Sequence, residues 1–272
     1  MNKKILAVDL DDTLLTDDKQ IAEENLQALN ALLKAGHVLA VDTGRPLHGF
    51  KKILDRYMDL FMHDNVYYLG YQGAMGMHLC TRQIIFSDCI PQEDVLTLMD
   101  EAHRQGLSTQ CFDIDYLYTF HEDENIRLYN QRTKEPLKPI SRVEELSDKQ
   151  IYKCMVVDYD SHDRLEEFKS YIDPRIAGRL VSMFSNPAFL EFVRQDTGKG
   201  TGLIKLADYL GIPIADTVAC GDERNDISMI KAAGLGVCVA NGTAEARAAA
   251  DYITAVDNNN GAIAEVIYKY FI

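Results

Sequence analysis

Four short groups of polar residues in this sequence have the chemistry to bind a metal cation or an anionic ligand. The first group, Asp9-Leu10-Asp11-Asp12-Thr13, follows an apolar run directly and holds three carboxylates. Carboxylates this close raise one another's pKa unless a cation neutralises them or one keeps its proton. Hard Mg²⁺ suits a site built only from oxygen ligands. Taken alone, the same segment fits an acidic turn that caps the structure after it.

Two further groups have the chemistry to hold phosphate oxygens. Thr43-Gly44-Arg45 follows a second apolar run, and a hydroxyl with backbone N–H groups beside a glycine can bind a phosphate oxygen. Lys199 opens a predicted helix, where the helix macrodipole disfavours a cation. An anionic ligand at that position would remove the conflict. Strand-to-helix turns use Thr and Gly routinely, and a solvated lysine also fits, so neither group decides the matter alone.

The fourth group is the most specific single motif. Asp222, Asn225 and Asp226 follow another apolar run within one turn of chain, so two acidic groups and an amide reach one location. The alternative is an Asp-rich helix cap, where Asp and Asn are favoured in any case.

The elements that position these groups form an α/β pattern. Apolar runs at 5–8, 38–41, 218–220 and 237–240 each end in polar residues or glycine. Such runs suit the interior strands of a parallel sheet covered by helices. Segments with helical apolar spacing, ending at Gly36, Gly211 and Gly234, separate them. The sequence therefore predicts a doubly wound, Rossmann-like parallel sheet whose ligand sits at the carboxyl ends of the strands.

The middle of the chain has a different organisation. We expect a helix at 91–105, two short strands, a charged stretch, a strand at 151–157, a helix at 163–171 and two strands around the turn Asn186-Pro187. Strands joined by so short a turn pair in antiparallel fashion. The predicted architecture is a core of residues 1–80 and 193–272 with an inserted α+β cap domain at 81–192.

Together, the motifs D-x-D-x-T, T-G-R, K-G and G-D-x-x-N-D resemble those of the haloacid dehalogenase superfamily of phosphatases. The insertion between the second and third motifs resembles the Cof-type, or class IIB, branch. The resemblance covers essentially the whole chain. It implies a Mg²⁺-dependent phosphatase that hydrolyses a small phosphorylated metabolite, such as a sugar phosphate, a nucleotide or a phosphorylated cofactor, through an aspartyl-phosphate.

The resemblance also implies a role for each motif residue. Asp9 would be the nucleophile, and Asp11 the general acid and then the general base. The implied Mg²⁺ ligands are Asp9, the backbone carbonyl of Asp11, Asp222 and Asp226, the last as a ligand or in the layer behind it. The implied phosphate-binding residues are Leu10, Thr43, Gly44, Lys199 and Asn225.

Three positions depart from the family pattern. Asp12 stands where the family has Gly, at a position that calls for a positive φ, which Asp tolerates better than most residues. Gln72 replaces Asn before Gly73, and Asp42 replaces a small residue before Thr43. These changes remove no implied catalytic group, but Asp12 and Asp42 add negative charge near a phosphate site.

We expect substrate selection to come from the cap, because the motif residues are used on phosphate and metal. The candidates are Tyr118, His121, Arg127, Tyr129 and Asn186. An exposed cap surface explains most of them equally well. A cap of this size favours a small-molecule phosphomonoester over a folded phosphoprotein.

Three other functions use similar motifs. A phosphomutase of this superfamily inserts its cap between the first two motifs, where this chain has only one helix and one strand. A dehalogenase dispenses with the second aspartate, which Asp11 supplies here. The remaining alternative is a catalytically weak phospho-ligand-binding or phospho-acceptor protein of the same fold, and the intact motifs argue against it.

Composition narrows the partners further. The chain has 272 residues, a net charge of -14 and 47% hydrophobic residues, which suits a globular protein and disfavours nucleic acid as a partner. The apolar runs are too short for a membrane helix, so we expect no membrane partner and a cytoplasmic location. We also expect a monomer or a weak homodimer. The cysteines at 111, 154, 220 and 238 lie in strand-like apolar runs, which predicts buried thiols.

Overall fold

The computed structural model describes residues 2–272, and its strands and helices alternate along most of the chain. The strands are β1 (Ile5–Val8), β2 (Val38–Asp42), β3 (Val66–Gly70), β4 (Met75–His78), β5 (Gln83–Ser87), β6 (Ser108–Phe112), β7 (Leu117–Thr119), β8 (Leu137–Pro139), β9 (Lys153–Val157), β10 (Leu180–Asn186), β11 (Phe189–Arg194), β12 (Thr217–Gly221), β13 (Leu235–Cys238) and β14 (Tyr252–Ile253). The helices are α1 (Glu23–Lys34), α2 (Leu47–Arg56), α3 (Met58–Phe61), α4 (Gln92–Arg104), α5 (Glu124–Thr133), α6 (His162–Ile176), α7 (Lys199–Leu210), α8 (Ile227–Ala232), α9 (Ala244–Ala249) and α10 (Ala262–Tyr270).

The described residues fall into two compact units. The first unit comprises residues 2–44, 53–87 and 197–272, and the second comprises 45–52 and 88–196. The expected division at 81–192 differs from this one at both ends. Strand β5 pairs with β4 in the first unit, and β11 continues to Arg194 in the second. The short segment 45–52, which was expected in the core, groups with the second unit.

The first unit is built on an eight-stranded sheet in the order β14-β13-β12-β1-β2-β3-β4-β5. The strands from β14 to β3 are parallel, and β4 and β5 are antiparallel. Alternate residues of β1 and β2, such as Ile5 and Val38, pack against Leu203 and Leu206 of α7. Helices α1 and α10 pack together, and α1 contacts β2. This arrangement confirms the predicted α/β core, because both faces of parallel strands must be covered.

The second unit has a six-stranded sheet in the order β10-β11-β9-β6-β7-β8. Its strand pairs are antiparallel except for β7 and β8, so the predicted pairing of β10 with β11 around Asn186 is confirmed. One face packs against α4 and α6 through a cluster that includes Leu98, Leu165 and Phe192.

The charged stretch, for which the sequence predicted no helix, forms α5 at 124–133. Asp123 caps this helix by accepting a hydrogen bond from the Ile126 backbone N–H at 3.0 Å. The helix buries only Ile126 and Tyr129, so it lacks the broad apolar stripe that marks a helix in sequence. The Asp123 cap was the signal available for it.

Two further expectations concern the molecule as a whole. Cys111, Cys154, Cys220 and Cys238 are buried thiols, as predicted. Within residues 2–272, the helices all lack the length and apolar character that crossing a bilayer demands.

Candidate active site

Asp9 lies at the carboxyl end of β1, in the centre of the first unit's sheet. Its backbone N–H donates to the carbonyl of Cys220 at 2.9 Å, so the parallel ladder with β12 extends to this residue. Because the neighbouring strands end at the same edge, Thr43 after β2 and Asp222 after β12 lie there too. The strand order thus brings the first, second and fourth motifs to one edge of the sheet.

Lys199 joins the third motif to this edge. It is the first residue of α7, and its fully buried ammonium donates to Asp9 and to Asp226 Oδ1, the latter at 2.5 Å. Burial alone lowers the pKa of Lys199, but the charges of Asp226, Asp9 and Asp42 outweigh burial and raise that pKa. The carboxylates therefore resolve the conflict between this cation and the helix macrodipole.

Asp222 and Asp226 are held by the turn that contains them. Asp226 Oδ2 accepts from the backbone N–H groups of Asp222 and Glu223 at 2.9 and 3.0 Å. The Thr13 hydroxyl donates to Asp222 Oδ1 at 2.8 Å. Gly221 allows this close packing, because a Cβ there would lie 2.7 Å from Asp226 Oδ2. These bonds orient both carboxyl groups.

The three carboxylates have the geometry of a cation site. One oxygen from each of Asp9, Asp222 and Asp226 lies within 4.8 Å of the others. Burial raises the pKa of Asp9 despite the opposing Lys199 charge, and burial raises the pKa of Asp222 to about 7. Such shifts mark carboxylates that lack enough positive charge around them. The donors are hard oxygens, so these residues fit Mg²⁺.

The turn after Asp9 places Asp11 and Asp12 beside Lys19. Lys19 Nζ lies 3.2 Å from Asp11 Oδ1 and 2.9 Å from Asp12 Oδ1. Asp12 has φ 57°, so the positive φ expected from its departure from Gly is present. Leu10, at the start of the turn, is buried. Lys19 was not predicted as part of the site, because no motif surrounds it in the sequence and only the turn brings it back to Asp11 and Asp12.

The phosphate-binding candidates Gly44 and Asn225 are linked through Gln72. Asn225 Nδ2 donates to Gln72 Oε1 at 3.4 Å, and the Gln72 side chain packs directly against Gly44 Cα. Gln72 lies on a turn in which Tyr71, Gln72 and Gly73 all have positive φ. In the sequence Gln72 stands out only as a departure from the family pattern, and its position between Asn225 and Gly44 was not predicted.

Asp42 is fully buried at the end of β2. Within the described part of the chain, neither of its carboxyl oxygens has a hydrogen-bond partner. Burial raises its pKa well above the usual range, although the Lys199 charge opposes this. Burial therefore opposes the negative charge that the sequence predicts at Asp42, and the Lys199 ammonium supports it.

The five cap candidates do not form one cluster. Tyr118 is buried on the face that packs against α4 and α6, and its hydroxyl donates to Asp113 Oδ2 at 2.6 Å. Tyr129 packs with Phe112 and Phe189, with ring centroids 6.0 and 5.5 Å away. His121, Arg127 and Asn186 are exposed. Their role in substrate selection stays a prediction.

Comparison with known proteins decides the family. A family model of haloacid dehalogenase-like hydrolases matches residues 6–267. The chain belongs to this family. The predicted superfamily and enzyme class, a hydrolase of phosphoric monoesters, are confirmed, and the fold class is confirmed by solved structures of the same fold.

Three relatives are each 27% identical in sequence to this haloacid dehalogenase-like hydrolase. The first is the 5-amino-6-(5-phospho-D-ribitylamino)uracil phosphatase YwtE of Bacillus subtilis, with 95% of both chains covered. The second is the pyridoxal phosphate phosphatase YbhA of Escherichia coli, with 100% of both chains covered. The third is a haloacid dehalogenase-like hydrolase of Bacteroides thetaiotaomicron, whose crystal structure matches 99% of this chain and 100% of its own with a TM-score of 0.89.

Proposed function

We propose that this hydrolase is a Mg²⁺-dependent phosphatase that acts on a small phosphorylated metabolite through an aspartyl-phosphate formed on Asp9. The observation that carries the proposal is the buried Lys199 ammonium between Asp9 and Asp226, with Asp222 beside them. A carboxylate attacks phosphorus only when the charge of the phosphate is screened. The same ammonium orients the Asp9 carboxyl group.

In the first half of the reaction, a carboxyl oxygen of Asp9 attacks phosphorus, and the bond from phosphorus to the leaving oxygen breaks. Asp11 gives its proton to that oxygen. In the second half, Asp11 takes a proton from a water molecule, which attacks phosphorus and releases inorganic phosphate with Asp9 restored. Bound Mg²⁺, held by Asp9, Asp222, Asp226 and the Asp11 carbonyl, would supply positive charge for the phosphate oxygens.

The phosphate oxygens would accept hydrogen bonds from donors at the carboxyl edge of the first unit's sheet. These are the Thr43 hydroxyl, the Lys199 ammonium and the Asn225 amide, with backbone N–H groups at Leu10 and Gly44. The Gln72 side chain accepts a hydrogen bond from the Asn225 amide and packs against the Gly44 backbone, so it would help to position both groups.

The identity of the substrate does not transfer from the relatives. YwtE and YbhA are each 27% identical in sequence to this chain, yet the two names specify different phosphorylated compounds. We infer that the second unit selects the substrate, since the motif residues of the first unit are used on phosphate and metal.

Turnover of p-nitrophenyl phosphate by the purified chain tests this function. We expect activity with Mg²⁺, its loss in excess EDTA and its return when Mg²⁺ is restored, because the carboxylate cluster repels a phosphate dianion. Zn²⁺ should serve poorly, because it prefers nitrogen and sulfur ligands. Full activity in excess EDTA would contradict the metal requirement. Phosphate binding without turnover would favour the phospho-ligand-binding alternative.

A further inference from the structure

The turn at 10–15, which carries Asp11, has an unusual backbone. Asp11 is extended, with φ -81° and ψ 131°, and Asp12 follows it with φ 57°. A residue other than glycine keeps a positive φ only where the groups around it hold the chain in place. The contacts that hold this turn therefore also set the position of the Asp11 carboxyl group.

Asn241, in the loop after β13, binds the backbone next to Asp11. Its Nδ2 donates to the Asp12 carbonyl at 2.7 Å, and its Oδ1 accepts a hydrogen bond from the Asn258 backbone N–H at 3.0 Å. Its side chain therefore links the strained residue of the turn to the segment before α10.

Asn258 binds the far end of the same turn. It is 2% exposed, and its Nδ2 donates to the Leu15 carbonyl at 2.9 Å in a buried hydrogen bond. A buried carbonyl that loses its donor is strongly disfavoured, so this bond constrains the path of the chain. Asn258 thus holds the turn at two points, directly at Leu15 and through Asn241 at Asp12.

The chain that follows the turn is held by the same segment. The Asp17 N–H donates to Asn259 Oδ1 at 3.0 Å, and Asn259 Nδ2 donates to Asp17 Oδ1 at 3.2 Å. Lys19, which lies 3.2 Å from Asp11 Oδ1, comes two residues later. The backbone around Asp11 and the lysine beside its carboxyl group therefore share one set of asparagine anchors, all within the first unit.

The amide groups of Asn241 and Asn258 donate to backbone carbonyls of the turn, so any effect on Asp11 passes through backbone geometry. Proton transfer requires the acid and the leaving oxygen at hydrogen-bond distance. A misplacement of about 1 Å can cost about a hundredfold in rate. A small shift of the turn would therefore reduce proton transfer while leaving the fold intact.

We propose that Asn241 and Asn258 are positioning residues for the general acid, which hold the turn at 10–15 so that the Asp11 carboxyl group reaches the leaving oxygen. The inference rests on the proposed phosphatase function and adds to it. In the step concerned, a carboxyl oxygen of Asp9 bonds to phosphorus, the bond from phosphorus to the leaving oxygen breaks, and the Asp11 proton moves to that oxygen.

The dependence of kcat/KM on the leaving group tests the proposal in the full chain with Mg²⁺. p-Nitrophenolate is a weak base and leaves with little help from an acid, whereas phenolate is a stronger base and needs more help. The leaving-group ratio is kcat/KM for phenyl phosphate divided by kcat/KM for p-nitrophenyl phosphate. We expect Asn241→Ala and Asn258→Ala each to lower this ratio about tenfold, and Asp11→Asn to lower it at least as much.

A double variant separates positioning from general damage to the fold. The leaving-group ratio of Asp11→Asn/Asn258→Ala should equal that of Asp11→Asn, because Asn258 acts on proton transfer only through Asp11. Asn260→Ala is the matched control. Asn260 Nδ2 donates to Asp257 Oδ1 at 2.7 Å within its own segment, so the ratio should stay unchanged.

Unchanged ratios in Asn241→Ala and Asn258→Ala, in proteins whose circular dichroism spectra match that of the unchanged chain, would overturn the inference. A further fall of the ratio when Asn258→Ala is added to Asp11→Asn would overturn it too. If Asn258→Ala does not fold, Asn241→Ala, at an exposed position, decides the outcome. An unchanged ratio in Asp11→Asn would instead contradict the general-acid role of Asp11, and lack of turnover of both esters by the unchanged chain would overturn the phosphatase function itself.

Discussion

Lys199 shows how one residue reconciles stability with chemistry. A cation at the start of α7 is unfavourable for the helix, and a cluster of buried carboxylates is unfavourable for the sheet edge. Pairing the Lys199 ammonium with Asp9 and Asp226 relieves both problems. It also orients the Asp9 carboxyl group through a hydrogen bond.

Asp11 and Asp12 share Lys19 but differ in their expected roles. Asp11→Asn should lower kcat by ~10² to 10⁴ and leave measurable turnover, because general acid–base help is worth about that much. Asp12→Asn is the matched control. Asn also tolerates a positive φ, and most activity should remain. Comparable losses in both variants, measured with p-nitrophenyl phosphate, would contradict the assignment of Asp11.

The raised pKa values of Asp9 and Asp222 predict how metal binding depends on pH. Asp222, with a pKa of about 7, holds a proton below pH 7 in the metal-free protein, so Mg²⁺ must displace it there. We expect the Mg²⁺ dissociation constant, measured by calorimetry without substrate, to rise at least about tenfold for each unit of pH below 7, because the proton on Asp222 and any proton on Asp9 must both be released. The same constant at pH 6 and pH 8 would contradict this.

At the scale of elements, the sheet edge explains why motifs far apart in sequence meet. Parallel strands β1, β2 and β12 end together, so short apolar runs followed by polar residues were enough to predict where Asp9, Thr43 and Asp222 lie. Contacts made by side chains that turns bring to the site from other parts of the chain could not be predicted from the sequence. Gln72 depends on a turn of three residues with positive φ, and Lys19 depends on the turn after Asp11.

Helix α5 was not predicted from the sequence. Its boundaries rest on the Asp123 cap and on Lys134, which has a positive φ at the helix end, rather than on an apolar stripe. The sequence pattern there was polar, so periodicity had little to detect. Its burial comes from packing of Tyr129 on Phe112 and Phe189, which only tertiary structure supplies.

The turn that carries Gln72 leads to a prediction about Gly44. A Cβ on Gly44 would come within 3.0 Å of Gln72 Cδ. Gly44→Ala should push the Gln72 amide away and disturb its contact with Asn225, and we expect kcat/KM to fall by about tenfold to a hundredfold. The double variant Gly44→Ala/Gln72→Ala removes the clash and should recover part of the loss. A double variant no better than Gly44→Ala would contradict this explanation.

The described residues of the chain fold as two compact units. Apolar runs at both ends of the sequence predicted the α/β unit, and the short turn at Asn186-Pro187 predicted antiparallel strands in the other. The grouping of residues 45–52 with the second unit was beyond sequence reasoning, because it depends on contacts such as that between Gly49 and Glu135. The cytoplasmic location and the monomeric or weakly dimeric state stay predictions.

We expect the whole activity of the chain to pass through a covalent bond to Asp9. The most direct test is the rate of p-nitrophenyl phosphate hydrolysis by the full chain and by Asp9→Asn, both with saturating Mg²⁺ and with circular dichroism spectra that match. The asparagine side chain has nearly the same shape but is not a nucleophile, so we expect turnover to fall to the background rate. An Asp9→Asn protein that keeps most of the wild-type activity would contradict the account.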